Sequence, residues 1–302
     1  DWQGALQPGA TPVLAFPAAA LTNIPVYHLI ANNSDVINCQ YNSAYNDDVY
    51  RWYGTLVYNG KVYDHIGYRI RGSASVYNTG KNKWKFRFRT GHDFEALDED
   101  GNPYPYKWEN LTLSALMCPW WANDASTGGT ILNETAGMTL YRLAGVPAIR
   151  SHFFHYRIVD DAVEASAASQ YEGDFWGLYI AIEETEADYI KSNGLPDGNI
   201  YNCNGSVGAS VKRNQGPTAV QDSSDFSAEM SYTTGHHKPS PYQPYRYWEQ
   251  NIALDNYYRF NAINHLVNNT DMYLGGSSIE RNLVYHLNPE TSRWYTLPWD
   301  LD

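Results

Sequence analysis

Residues 52–72 read WYGTLVYNGKVYDHIGYRIRG and contain two strand-like segments, 52–58 and 61–72, separated by Asn59 and Gly60. Asn-Gly between such segments is a strong signal for a β-hairpin, because both residues tolerate the positive φ angles of a type I′ turn. The stretch therefore predicts two antiparallel strands joined by a two-residue turn.

A third strand is predicted in KNKWKFRFR (81–89), where basic and apolar residues alternate from Lys83 onward. One face carries Trp84, Phe86 and Phe88, and the other carries a basic stripe of Lys81, Lys83, Lys85, Arg87 and Arg89. The preceding strand places Arg69 and Arg71 on a common face and ends in GSAS (72–75), where backbone N–H groups and the hydroxyl of Ser75 can approach a phosphate. Either an anion-binding face or the solvated outer face of an antiparallel sheet explains this pattern.

The rest of the chain mixes strand and helix patterns. Strands are predicted at 25–31, 151–159, 175–184, 282–287 and 293–299, and helices at 131–144, 186–191 and 253–267. In the first helix Leu132, Ala136, Leu140 and Leu143 share one face and are expected to be buried. Residues 1–24 are predicted to be a leader or linker. The segment 203–248, which is rich in Gly, Ser and Pro, is predicted to be a long loop insertion. The order of elements predicts an α+β fold.

Composition limits the classes of function. The 302 residues are 43% hydrophobic, which disfavours disorder, and no apolar segment approaches the ~20 residues that a membrane-spanning helix needs. The formal net charge of −12 disfavours generic binding to nucleic acid. Cys39, Cys118 and Cys203 form no metal-binding pattern, and either one disulfide or three thiols are compatible with their spacing.

The stretch RWYTLPWDLD (293–302) combines an apolar strand with carboxylates at its end, Asp300 and Asp302. Rigidly held carboxylates bind hard cations such as Mg²⁺ or Ca²⁺, and Mg²⁺ would indicate phosphate chemistry. A solvated acidic tail is the alternative interpretation of these two residues.

Two further polar residues extend this set. Asp271 follows the predicted helix 253–267, and Asn282 opens the strand expected to pair with the one that ends before Asp300. In phosphoryl transfer one Asp orients the nucleophile, while an Asn and a second Asp hold Mg²⁺. The sequence has no GxxxxGK[ST], GxGxxG or GxSxG motif, and no partner can be named for Glu183 or Glu184 as glycosidase carboxylates.

Taken together in chain order, these segments resemble the spore-coat protein H (CotH) family. The shared pattern comprises a Tyr/Gly/Asp-containing hairpin, a lysine-rich strand, G-L-Y-x-x-x-E, D…N-x-x-Y and P-W-D-L-D, over about residues 50–302. The matching positions are Tyr58, Gly60, Tyr63, Asp64, 66–72, Ser75, 81–88, 177–183, Asp271, 282–285 and 298–302.

The resemblance implies a diverged two-lobed protein-kinase-like fold, with a β-rich N-terminal lobe at about 25–184 that carries one helix. Residues 185–302 would form a mixed C-terminal lobe that the chain truncates, and 25–302 together would make a single kinase-like domain. The implied activity is transfer of the γ-phosphate of ATP to Ser or Thr, with Mg²⁺ or Mn²⁺.

The same resemblance implies roles for particular residues. Lys85 would bind ATP phosphates, assisted by Arg71, Ser75 and Lys81, and Glu183 would lie at the adenine-side hinge. Asp271 would be the catalytic Asp, and the metal ligands would be Asn282, Asp300 and Asp302.

The expected substrate is a Ser/Thr-rich protein, and the expected location is secreted or at the cell surface. A second hypothesis is a catalytically silent coat or adhesion module with the same fold that binds structural Ca²⁺ or glycan. Retention of Lys85, Asp271 and Asp300 together favours the kinase, because a silent module has no chemical reason to keep all three.

Overall fold

The computed structural model of the protein describes residues 24–41, 49–71, 82–98, 100–116, 130–160, 174–204, 210–233, 244–269 and 281–301. The chain divides into two compact units. The first unit comprises residues 1–130 and 151–183, and the second comprises residues 131–150 and 184–302.

The first unit is built on seven strands that close into a barrel. They are β1 (Val26–Ile30), β2 (Trp52–Tyr58), β3 (Lys61–Arg71), β4 (Lys83–Arg87), β5 (Asn110–Ser114), β6 (Ser151–Val159) and β7 (Phe175–Glu183), with helix α1 (Asn33–Tyr41) between β1 and β2. The order around the barrel is β1-β2-β3-β4-β5-β7-β6. Neighbours are antiparallel except at the closing pair, where β1 runs parallel to β6 with Val26 opposite His155.

The prediction of a two-lobed kinase-like fold is wrong. The structure has a closed mixed barrel of seven strands where a β-rich kinase-like lobe with one helix was expected, in a β-rich chain with six helices among its described residues. The difference arises from the β1–β6 pairing, which joins segments more than a hundred residues apart. Hydrophobic alternation identifies strands but does not specify such distant partners.

The predicted hairpin is confirmed. Tyr58 pairs with Lys61, and Asn59 and Gly60 have φ angles of 48° and 71°, as a type I′ turn requires. Strands β3 and β4 then pair in register, with Ile70 opposite Trp84 and Tyr68 opposite Phe86.

Aromatic side chains fill the barrel core. Trp84 is fully buried, and its ring lies 6.1 Å from Tyr68, 6.0 Å from Tyr156 and 5.8 Å from Trp176. At another point of the same core Tyr27 stacks on Phe154 at 4.1 Å. Large rings bury much apolar area with few rotatable bonds, so a short-stranded barrel obtains a substantial core. The aromatic content of the sequence is thus used largely for packing.

The second unit contains a four-stranded antiparallel sheet in the order β11-β10-β8-β9. Its strands are β8 (Ile200–Asn204), β9 (Val211–Asn214), β10 (Arg281–Asn288) and β11 (Arg293–Pro298). Its helices are α2 (Thr130–Leu143), α3 (Ala187–Ser192), α4 (Ser224–Thr233), α5 (Pro244–Asn251) and α6 (Leu254–Leu266). Helix α6 is tied to β11 by the side chain of Asn256, whose Oδ1 accepts a hydrogen bond from the Thr296 N–H at 2.8 Å.

Segment 203–248 differs from the predicted loop insertion. Its described residues form β9 and α4, and it also contains the beginning of α5. Phe226 of α4 stacks on Tyr201 of β8 with ring centroids 4.7 Å apart, and Asp225 accepts a hydrogen bond from the Tyr201 hydroxyl at 2.7 Å. Polar composition suggested a loop, but these two contacts secure α4 against the sheet.

Helix α2 buries a different face from the predicted one. Ala136 is exposed and Leu143 is 79% exposed, whereas Gly137, Met138 and Tyr141 are buried. Tyr141 stacks on Phe260 of α6, with ring centroids 5.3 Å apart. Leucine spacing alone misidentified the face because a glycine and a tyrosine supply the packing surface. Among the described residues, no helix is long and apolar enough to cross a membrane.

Acid is expected to destabilise the first unit through two buried histidines. Burial lowers the pKa of His28 and of His152 from 6.5 to about 4. Between pH 6.5 and about 4 the unfolded chain therefore binds more protons than the native state, so stability falls as pH decreases. Each site contributes up to about 1.4 kcal/mol per pH unit.

Urea unfolding measured from pH 7.5 to 4 tests this expectation. The variant His152→Gln, which cannot titrate, should show a shallower decline, and His92→Gln, at an exposed position, should match the parent. An unchanged pH slope in His152→Gln would contradict the assignment.

Candidate active site

Lys85 is held at the centre of the barrel's basic strand. Arg69 of β3 lies opposite Lys85 on one side, and Thr112 of β5 lies opposite on the other. The adjacent residues Trp84 and Phe86 belong to the core, so strand alternation places Lys85 on the outer face. Lys85 is nevertheless only 8% exposed and Arg69 is buried as well, so the alternative of a solvated face does not hold here. Two cations in register repel each other, and an anion beside them would stabilise the pair.

The other predicted phosphate-binding residues are only partly described. Arg71, the last residue of β3, is half-buried and lies opposite Lys83, two register rows from the Arg69–Lys85 pair and on the same face. Ser75 and Lys81 lie outside the described residues. The structure thus brings Arg71 and Lys85 onto one sheet face two rows apart in strand register.

Glu183 occupies a different face from Lys85. It is the last residue of β7 and is almost fully buried, opposite Leu111, which in turn lies opposite Phe86. Phe86 and Leu111 belong to the barrel core, so alternation places the Glu183 side chain on the core side. Glu183 and Lys85 do not share a surface, and the hinge role of Glu183 stays a prediction.

Asn282 and Asp300 lie at the same end of the β10–β11 hairpin. Leu283 pairs with Pro298, and one residue beyond, the Trp299 N–H donates to the Asn282 carbonyl at 3.2 Å. Asp300 follows directly after Trp299. The hairpin that was expected to join Asn282 and Asp300 is therefore present.

The backbone at both residues is in the left-handed region. Asn282 has a φ angle of 58° and Asp300 one of 55°. Asn282 is also the extra residue of a β-bulge, since Arg281 and Leu283 pair with the consecutive residues Asn204 and Cys203 of β8. Bulges re-aim side chains and are over-represented beside active sites, and left-handed non-glycine residues likewise cluster at functional positions.

Packing of the next residue fixes the position of Asp300. Leu301 is buried, and a Cβ added to Gly137 of α2 would lie 2.6 Å from the Leu301 Cδ1 atom. Because Gly137 has no side chain, the Leu301 side chain can pack directly against α2. Asp300, half-buried, is held between this anchor and the hairpin. The other two predicted residues of this group, Asp271 and Asp302, lie outside the described residues.

The donor set at the hairpin end suits a hard cation. A carboxylate from Asp300 and an amide oxygen from Asn282 are oxygen ligands of the type that Mg²⁺ prefers, and Mg²⁺ commonly takes only one or two carboxylates besides substrate phosphates and water. Within the described ranges, no three His, Cys, Asp or Glu side chains gather as a metal-binding group. The described residues therefore do not form a metal site in which three or more such side chains supply the ligands.

The sequence interpretation missed Glu134. This carboxylate lies on α2, one turn before Gly137 on the same buried face, and it is 3% exposed. A buried carboxylate is stable only when it is paired or hydrogen-bonded. Glu134 is therefore a further candidate functional residue of the second unit. The sequence analysis considered only the face with Leu132, Ala136, Leu140 and Leu143, and it assigned Glu134 no role.

The comparisons with known proteins agree with these motifs. A family model for CotH kinase protein matches residues 68–302, a range that includes β4, the hairpin β10–β11 and the segment around Asp300. No curated protein matches the chain. The resemblance drawn from the sequence is confirmed at the level of the family. The chain belongs to the CotH kinase protein family.

Proposed function

We propose that the protein is an atypical protein kinase that transfers the γ-phosphate of ATP to a Ser or Thr hydroxyl in a divalent-metal-dependent reaction. The observation that supports the proposal is the arrangement of Asn282 and Asp300, which both have oxygen-bearing side chains and lie at the same end of one hairpin. Both have left-handed backbone, and Leu301 anchors the segment. Such a costly local conformation, stabilised by neighbouring packing, is typical of functional positions.

The metal would be held by Asn282 and Asp300, with Asp302 assisting. When bound, Mg²⁺ neutralises negative charge on the phosphates of the nucleotide. The protein residues would hold these oxygens in place: the bulge would set the direction of the Asn282 amide, and the packing of Leu301 would restrain the neighbouring Asp300 carboxylate. Preorganised groups of this kind need little reorganisation during reaction.

The cationic residues of the first unit would bind the nucleotide phosphates. Lys85 is the principal group in this proposal, with Arg71 and Lys81 assisting and the backbone near Ser75 contributing N–H donors. Burial of Lys85 favours a strong interaction, because a charge in a low-dielectric environment acts over a longer range than one in water. Asp271 would accept the proton of the acceptor hydroxyl. Ser/Thr-rich secreted or surface proteins are the proposed acceptors.

Thermal unfolding with and without ATP and Mg²⁺ or Mn²⁺ tests nucleotide binding directly. A ligand that binds only the native state stabilises it by RT ln(1 + [L]/Kd), ~2.7 kcal/mol at a hundredfold excess over Kd. We expect ATP with metal to raise the Tm and ATP with a chelator to raise it much less. Release of ADP in the presence of a Ser/Thr-rich protein would then measure turnover.

A folded protein that shows no Tm shift with any nucleotide and metal would contradict the proposal. That result would favour the silent surface or adhesion module, and Tm shifts with Ca²⁺ alone would then be the next measurement. A shift that does not depend on metal would contradict the roles given to Asn282 and Asp300.

A further inference from the structure

A basic groove lies on the outer side of β3 and β4 in the first unit. It is an open cavity of about 810 Å³, lined among others by Tyr50, Tyr53, His65, Gly67, Arg87 and Arg89. None of these residues belongs to the proposed nucleotide or metal site.

A glycine shapes the centre of the groove. Gly67 lies opposite Arg87 in the β3–β4 register, so no β3 side chain faces Arg87 across that pair of strands. The Tyr50 ring fills the space above Gly67, where an added Cβ would lie 3.2 Å from the ring atoms Cγ and Cδ1. The Tyr50 ring also lies 5.4 Å from the guanidinium carbon of Arg69. The groove is therefore lined by the Tyr50 ring, and the guanidinium of Arg69 lies next to that ring.

The positive charge of the groove is not neutralised by the described part of the chain. Arg87 and Arg89 are exposed, and neither guanidinium makes an ion pair or hydrogen bond with a described residue. The whole chain carries 33 acidic and 21 basic residues, yet these two neighbouring arginines have no acidic partner among the described residues. Guanidinium groups bind carboxylate and phosphate oxygens in bidentate fashion.

A bulge in β3 places the imidazole of His65 in the groove, beside the guanidinium groups of Arg87 and Arg89. Gly54 pairs with Ile66 and Leu56 with Tyr63, so that Thr55 faces the two residues Asp64 and His65. His65 takes a left-handed φ angle of 53°, and its Nδ1 lies 3.0 Å from the Asp64 carboxylate. This hydrogen bond lowers the pKa of Asp64 and engages that carboxylate. A non-glycine residue with a left-handed backbone is uncommon inside a strand, and bulges re-aim side chains and are over-represented next to active sites.

The groove also offers apolar contact. The Tyr53 side chain is 59% exposed, and Val49 is exposed beside it. Arg87 is the last residue of β4 and Arg89 follows two residues later, so their Cα atoms are separated by at most about 7 Å. Alternate side chains of an extended peptide have the same spacing, so two acidic residues at positions i and i+2 match the two arginines.

We propose that the basic groove binds an extended acidic peptide segment, whose alternating carboxylate or phosphate side chains contact Arg87 and Arg89 while an apolar residue packs on Tyr53. The size and open form of the groove exceed the needs of a single phosphate ion. The site goes beyond the proposed phosphoryl transfer, because binding a peptide here needs no nucleotide, metal or turnover.

Fluorescence anisotropy with the full chain tests the proposal. The probe is a labelled peptide with Glu at alternate positions and one central Tyr, and the reference peptide has Gln in place of every Glu. We expect the Glu peptide to bind at least tenfold more tightly than the Gln peptide and its affinity to fall with added salt. The double variant Arg87→Gln/Arg89→Gln should lose at least tenfold in affinity for the Glu peptide.

Arg293→Gln is the matched control, because Arg293 is an exposed arginine on β11 in the second unit. It should bind the Glu peptide as the parent does, and all variants should keep the parent Tm, as surface substitutions usually do. Equal binding of the two peptides, or an equal loss in Arg293→Gln, would overturn the proposal. Displacement of the peptide by ATP without metal would also overturn it, since the groove would then be a nucleotide site.

Discussion

The variant Asp300→Asn is expected to lose about 10²–10³-fold in ATP turnover while its Tm without metal stays close to that of the parent. The amide keeps the size of the side chain but removes the negative charge that a divalent cation needs. Asn tolerates the left-handed backbone at least as well as Asp, so the φ angle of 55° is maintained without added strain. The substitution thus separates ligand chemistry from fold. Steady-state ADP formation and thermal unfolding with and without Mg²⁺ measure the two effects.

The matched control for this experiment is Asp255→Asn. Asp255 is 83% exposed on α6 of the same unit, and it pairs only with the exposed guanidinium of Arg259 at 2.9 Å among the described residues. Such surface pairs contribute little, so turnover and Tm should both remain near the parent values. A large drop in the metal-free Tm of Asp300→Asn would mean that Asp300 serves the fold and not the reaction.

Replacement of Lys85 by Met is expected to abolish the ATP-dependent rise in Tm and to lower turnover by about 10²–10³-fold. Methionine keeps an unbranched apolar stem of similar volume and removes the charge. Because Lys85 is only 8% exposed, its loss can change the Tm for reasons unrelated to ATP. The informative measurement is therefore the Tm shift caused by ATP and metal relative to the same variant without them.

Lys61→Met provides the comparison for Lys85→Met within the same barrel. Lys61 begins β3, its side chain is half exposed, and it forms an ion pair with Glu95 at the surface. Its ATP-dependent shift should equal that of the parent. If both Lys85→Met and Lys61→Met kept the full ATP-dependent rise in Tm, the role given to Lys85 would be wrong. Phosphate binding would then have to involve other residues.

Local features could be predicted because their causes lie within a few residues. Asn59-Gly60 forms the expected turn since the positive φ angles are a property of the two residues themselves. The β10–β11 hairpin was also expected, and with it the proximity of Asn282 to Asp300. Short connections leave few alternatives for pairing, so alternation and turn residues are sufficient.

Features that depend on distant partners were missed. The β1–β6 pairing that closes the barrel and the contact of Leu301 with Gly137 each join parts of the chain far apart in sequence. The burial of Lys85 was not predicted either. In α2 the leucine pattern predicted the wrong buried face, because the choice is made by Tyr141 packing on Phe260. No periodicity within the helix carries that information.

The sequence by itself determined eight of the eleven described strands, the turn at Asn59-Gly60, the basic stripe and the family, because these follow from side-chain alternation, backbone preferences and ordered motifs. Only the tertiary structure decided that the first unit is a closed barrel, that Asn282 lies in a bulge, and that Arg87 and Arg89 border an open groove. The physical reason is that closure, register and burial depend on contacts between distant segments. These contacts stabilise the fold only after the chain has brought the distant segments together, which costs loop-closure entropy.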